Sequence, residues 1–198
     1  MTIRRGEWAI FGVTLAYVTG FGAWFLVIGN YEFIWYILTM AVMIALVGVN
    51  LRRAEFPLGL LWALSLWGLA HMAGGGIVVG ESVLYSATLL PLIETGELTL
   101  LKYDQLVHAY GFGITAWLLW HLMRRHYPAT RHSWTVHVYP ALGAMGLGSV
   151  NEIVEFIAVL AIADTNVGGY VNTALDLVFN AAGAILAVCL LWLREVSR

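Results

Sequence analysis

The sequence is poor in charge, and it has a single cysteine and a single lysine. Charged residues fill only 11% of the 198 positions, against about 25% in soluble domains. That shortage excludes a surface covered by water, and no nucleic-acid partner is expected. The lone cysteine, Cys189, excludes an intramolecular disulfide. It lies in an apolar run, where packing is its expected role. No small-residue cleavage site follows the first apolar run, which is too long for a signal peptide, so the run is expected to be retained. No polar linker is long enough to divide domains. No clear internal repeat or low-complexity tract is present. The expectation is one integral membrane domain over residues 1–198.

What the chain has in quantity is apolar surface. Hydrophobic residues make up 61% of it, with nine tryptophans and nine tyrosines, rings that favour the membrane interface. A spanning helix needs about 20 mostly apolar residues. Six segments meet or approach that length: roughly Trp8–Ile28, Phe33–Val49, Pro57–Ala73, Asp104–Met123, Val138–Ile162 and Asn172–Leu193. The predicted fold class is therefore all-α, a polytopic membrane bundle of about six transmembrane helices. Spans three to six are expected to form the functional bundle, with spans one and two packed around it. Pro57 suits a first helical turn, and Gly74–Gly76 is a plausible stop for the third span.

The arginines orient these spans. Arg4 and Arg5 precede span one, and Arg52 and Arg53 follow span two. Arg124, Arg125 and Arg131 follow span four, and Arg194 and Arg198 follow span six. Six spans put all of them on one side. The other side holds Lys102 against Glu32, Glu81, Glu94, Glu97 and Asp164. Basic residues collect in the cytoplasm, so both termini are expected there. The expected location is a membrane bounding the cytoplasm, crossed several times. The long outward connection, 76–103, is expected to be an interfacial helix or a loop over the bundle. It could also act as a lid or re-entrant element where protein or water satisfies its backbone.

Ionisable groups inside spans are rare and usually face a bundle interior or an aqueous cavity. Here they share one depth. His71 ends span three, Asp104 and His108 begin span four, Glu152 and Glu155 occupy the middle and later part of span five, and Asp176 begins span six. The arginine-based orientation places all of them toward the outer half. Asp104/His108 and Asp176/Asn180 are four residues apart and Glu152/Glu155 three, so each pair shares a helix face. Buried carboxylates without lysine or arginine among them need a cation. A divalent metal, protons or a cationic substrate would each serve. Inward carboxylates and histidines are how helix bundles build metal sites. The metal reading takes His71, Asp104, His108, Glu152, Glu155 and Asp176 as ligands to one or two ions. The absence of thiolate ligands points to zinc, iron or manganese outside a cysteine-rich site. Asn151 and Asn180 are read as hydrogen-bonding partners behind the ligands. Asp104 could instead cap its helix, and His71 could be a satisfied helix-end histidine. His121, His126, His132 and His137 are read as surface histidines beside the arginines.

The resulting expectation is a metal-dependent membrane enzyme, a hydrolase or an oxidoreductase, acting on a membrane lipid or lipid-linked substrate. Glu155 would be its general base. The alternatives are a proton- or cation-coupled transporter or channel, and a structural lipid-binding membrane protein.

The blocks "YDQLVHAYGFG", "NEIVEF" and "LDLVFNAAGAIL" resemble those of the YjdF-like inner-membrane proteins. "HMAGGG", with Tyr85 and Pro91 beyond it, resembles an upstream block of the same family. More distantly, Asp-x3-His, then Glu, then Asp-x3-Asn-x2-Gly is similar to VanZ-like membrane proteins. The likeness covers roughly residues 70 to 187. It implies a small multispanning bacterial or archaeal membrane protein and supplies no reaction.

Overall fold

Long apolar runs with few interior breakers fold as helices wherever length allows, and six do so in the computed structural model. They are α1 (Arg5–Ile28), α2 (Ile34–Ala54), α3 (Leu58–Gly76), α4 (Tyr103–His126), α5 (Thr135–Ala161) and α6 (Tyr170–Val196). The structure describes residues 3–29, 34–95, 98–161 and 169–197. Phe33, Ile162, Glu32, Glu97, Asp164 and Arg198, all used in the reading above, lie outside the described residues. Each helix lies on an expected span. Among the described residues, α1, α3, α6 and the stretch Ile37–Ala54 of α2 are long and apolar enough to cross a membrane. Their large apolar side chains also face outward: Leu26, Val27, Leu186 and Trp192 are exposed, as suits helices whose solvent is lipid.

The described residues fall into two compact units, Met1–Tyr85 and Ser86–Arg198. In the first, α1 packs on α3. Small hydroxyls stitch that seam. Thr14 Oγ1 lies 2.7 Å from Ser65 Oγ, and Tyr17 donates to the Ser65 carbonyl at 2.9 Å. Buried Phe25 and Met72 anchor its core with Phe21, Met40 and Tyr85 around them. The third helix thus belongs with α1, and the second unit is a bundle of three helices rather than the four expected. The glycine triplet forms the last residues of α3, which ends at Gly76. Its glycines serve packing. A Cβ on Gly74 would meet the Tyr85 ring at 2.5 Å, and one on Gly76 the Phe21 ring at 2.5 Å.

In the second unit α4 packs on α6 and α5, and α5 on α6. Its core is built of small residues, Ala116, Ala141, Ala144 and Ala184, with Val188; such residues let helix backbones approach closely in membranes. The closest approach is at Gly183, where a Cβ would run into the backbone of Ala109. At the other end of the bundle Glu195 pairs with both Arg124 and His137, the latter at 3.2 Å. His121 and His137 are half-buried rather than on the surface. Cys189 is also a correction. It lies on the exposed face of α6, because on a helix apolar all round a neighbouring leucine does not tell the inner face from the lipid face.

Among its described residues the connection between α3 and α4 is mostly strand, with one 3-10 turn at Leu84–Ser86. It forms two antiparallel hairpins, β1 (Val78–Val79) with β2 (Ser82–Val83) and β3 (Thr88–Thr95) with β4 (Leu98–Lys102). The register runs Ile93↔Leu100, Glu94↔Thr99 and Thr95↔Leu98, with an irregularity between Thr88 and Ile93. Pro91 sits in that irregular stretch, where a residue without an N–H is tolerated. Leu101, at a left-handed φ of 73°, turns β4 into α4. The buried Gln105 holds this turn. Its Oε1 accepts from the N–H groups of Leu101 (2.7 Å) and Lys102 (3.1 Å), and its Nε2 donates to the Thr99 carbonyl at 2.9 Å.

Candidate metal centre

Five of the six residues singled out as ligands come together inside the second unit. Asp104, His108 and Asp176 each offer a donor atom within 4.8 Å of the others, and so do His108, Glu152 and Glu155. His108 belongs to both groups. Helix periodicity explains the convergence. Asp104 and His108 face one way from the first turns of α4. Glu152 and Glu155 face α4 from α5, and Asp176 and Asn180 face it from α6. The Gly183–Ala109 contact, one residue from His108 and three from Asn180, draws α6 against α4 at this level. Gly148 makes room on α5, since a Cβ there would lie 2.7 Å from Asn180 Nδ2.

The cluster is dry. Relative exposure is 5% for His108, 6% for Glu152, 0% for Asp176 and 1% for Asn180, while Asp104 and Glu155 are half-buried. The ring of His108 is flanked on both nitrogens. Nε2 lies 3.5 Å from Asp104 Oδ1. Nδ1 lies 3.6 Å from Glu152 Oε1 and 3.0 Å from Asn180 Oδ1. Asn151 donates to Glu155 Oε1 at 2.7 Å. Several buried atoms make no hydrogen bond: both carboxylate oxygens of Glu152, Asp176 Oδ1 and Asn180 Nδ2. A buried carboxylate left in this condition costs more than a hydrogen bond's worth of stability. A cation among these oxygens removes the cost.

Asn172 is a member of the cluster that the sequence reading missed. Its Nδ2 donates to Asp176 Oδ2 at 2.6 Å and reaches Asp104 Oδ2 at 3.4 Å. The signal was present, because Asn172, Asp176 and Asn180 repeat at four-residue spacing along one face of α6. His71 lies in the first unit. Its ring stands edge-on to Tyr85 at 5.6 Å, and the Tyr85 hydroxyl donates to its carbonyl at 2.8 Å. It is not a member of either group of converging donors found among the described residues.

The chain belongs to a family described as predicted membrane protein (DUF2238), which it matches over residues 9–196. That span takes in both units and all the residues of the cluster. The family and the apolar helices make this a multi-pass membrane protein. The YjdF-like resemblance is compatible with this family, and the match does not show the VanZ-like one. No curated protein and no solved structure matches the chain.

Proposed function

We propose that this protein is a membrane metalloenzyme whose divalent ion, zinc, iron or manganese, is held by the cluster on α4, α5 and α6. The observation that carries the reading is the buried carboxylate of Asp176, whose Oδ1 makes no hydrogen bond and which converges with Asp104 and His108. The separation fits. Two donors bound tetrahedrally to one ion at about 2.0–2.1 Å stand about 3.4 Å apart. On its Nε2 side His108 stands 3.5 Å from Asp104 Oδ1. That is beyond good hydrogen-bond length and close to the edge of a coordination shell.

The bilayer setting follows from the same helices. With α4 and α5 also spanning, all the arginine clusters fall on one side, and the termini are cytoplasmic. Asp104 stands in the first turn of α4 and Arg124 in its last, so the cluster sits toward the outer half of the inner membrane. A lipid or lipid-linked substrate of the outer leaflet reaches that depth. The ion would polarise a substrate oxygen or activate water. Glu155, half-buried and steadied by Asn151, would take the proton. A conducting role fits less well. Beyond the cluster the bundle core is Ala116, Ala141, Ala144, Ala184 and Val188, an apolar layer that an ion path would have to cross.

The test is to reconstitute the protein in vesicles of bacterial lipid extract and follow the lipids by mass spectrometry, with and without added metal. A metal-dependent lipid product, absent with His108→Ala, is expected. An unchanged lipid profile together with metal-dependent proton or cation flux would replace the enzyme reading with a transporter.

A further inference from the structure

We infer that the cluster binds one ion on one side of His108 only, through Nε2 with Asp104 and Asp176, while Glu152 and Asn180 hold the ring from behind at Nδ1. The inference rests on the metal reading above and narrows it from five possible ligands to three.

The two sides of the ring differ in what they are ready to accept. A neutral imidazole has one N–H and one lone pair. Both neighbours of Nδ1 are oxygens, Asn180 Oδ1 at hydrogen-bond distance (3.0 Å) and Glu152 Oε1 at 3.6 Å. Acceptors gathered on that side keep the proton on Nδ1 and leave the lone pair on Nε2. At Nε2 the neighbour is Asp104 Oδ1, at 3.5 Å. That is the spacing of two ligands sharing an ion rather than of a hydrogen-bonded pair.

Asn172 supplies the second, independent observation. One amide nitrogen addresses the Oδ2 atoms of both aspartates, Asp176 at 2.6 Å and Asp104 at 3.4 Å. Each carboxylate is thereby tied by one oxygen and presents the other. The presented atom of Asp176, Oδ1, is buried and makes no hydrogen bond, in a residue with no exposed surface. That of Asp104 faces Nε2. Two aspartates and a neutral imidazole cancel the charge of a divalent ion and leave a fourth position open. Three protein ligands with one open position is the arrangement of catalytic rather than closed structural zinc sites. Behind the ring, a carboxylate facing the other nitrogen orients the ligand and raises its basicity. On this account Glu152 and Asn180 are positioning residues. Glu155, tied to Asn151, stays off the ion.

The experiment uses the full-length protein in detergent, stripped of metal and titrated with cobalt(II), whose visible spectrum reports its ligand shell, with zinc as competitor. Wild type is expected to take up one equivalent. Asp176→Asn is expected to abolish the cobalt spectrum. Glu152→Gln should keep one equivalent and a recognisable spectrum but bind about 10–100-fold more weakly, and Glu152→Asp should recover most of the loss. Nitrogen-15 spectra of histidine-labelled protein, with the bound histidine picked out as the one whose ring signals move on zinc loading, supply a readout that needs no ligand variant to fold. The expected result is a metal-shifted Nε2 and a protonated Nδ1. A metal-shifted Nδ1 would overturn the inference, as would two bound equivalents, or loss of the ion in Glu152→Gln with retention in Asp176→Asn. In each of these cases the metal reading survives. Wild-type protein that binds neither cobalt nor zinc overturns both.

Discussion

Replacing Gly183 by alanine adds one methyl group at the place where α6 crosses α4. The added Cβ would meet the carbonyl oxygen, the carbonyl carbon and Cα of Ala109. All three are backbone atoms and cannot swing aside as a side chain does. The helices must part by roughly 1 Å, a gap that forfeits a quarter to a half of the dispersion energy of each contact across it. Overpacking of this kind costs about 1–3 kcal/mol. A control isolates that cost. Gly146 lies inside α5 with nothing within 4 Å of its Cβ position, so Gly146→Ala makes the same change of helix propensity without the collision. The difference in unfolding free energy between the two variants is therefore the clash alone, about 1–3 kcal/mol. For a chain of this size that corresponds to a gap of about 2–12 °C in Tm, read by intrinsic tryptophan fluorescence in one detergent. Because Ala109 adjoins His108, and Asn180 lies one turn before Gly183, metal affinity should fall in Gly183→Ala and hold in Gly146→Ala. Equal Tm values for the two variants would refute the close crossing and with it the convergence of α4 and α6 on the site.

Three further outcomes follow from the same contacts. Gln105→Ala removes one acceptor serving two amides and one donor to a carbonyl, leaving part-buried backbone groups without partners. A loss of roughly 2 kcal/mol or more is expected, with hydrogen exchange quickened first at Leu101 and Lys102. Metal at 100 times its Kd should stabilise the wild type by about 2.7 kcal/mol and leave Asp176→Asn unmoved. This gain should disappear on acidification, since imidazole and carboxylate ligands bind metal only when deprotonated; Tm measured against pH with and without metal checks both. Glu195→Gln weakens the pairings with Arg124 and His137; these side chains are only 15–30% exposed, between a surface pair and a buried one, so a cost of about 1–3 kcal/mol is expected. A larger fall in Tm would mean that this end of the bundle is drier than its exposure indicates.

The helices were legible because a membrane span is a length criterion, and long apolar runs meet it wherever few polar residues interrupt. The site was legible for a related reason. In lipid every ionisable residue is conspicuous, and the four-residue spacing of Asp104 with His108 states which face it occupies. What stayed hidden depends on partners distant in sequence. The hairpin from Thr88 to Lys102 is apolar enough to read as interfacial helix, and only cross-strand pairing decides for β. Gln105 looks like an ordinary first-turn residue until Leu101 takes its left-handed turn and presents two amides. Gly74–Gly76 reads as a helix stop, and α3 does end at Gly76; what the sequence hides is that Tyr85 and Phe21 take up the missing side-chain volume. Asn172 carried the right spacing, but an amide near a helix start is common enough to pass as a cap. Cys189 went to the wrong face because hydropathy cannot distinguish a protein interior from a lipid-facing surface.

The most direct test of the central claim is elemental analysis of the protein purified without added metal, beside His108→Ala prepared identically. The account predicts about one equivalent of zinc, iron or manganese in the wild type and none in the variant. A wild type free of metal and yet fully stable, or a metal content unchanged by His108→Ala, would contradict it.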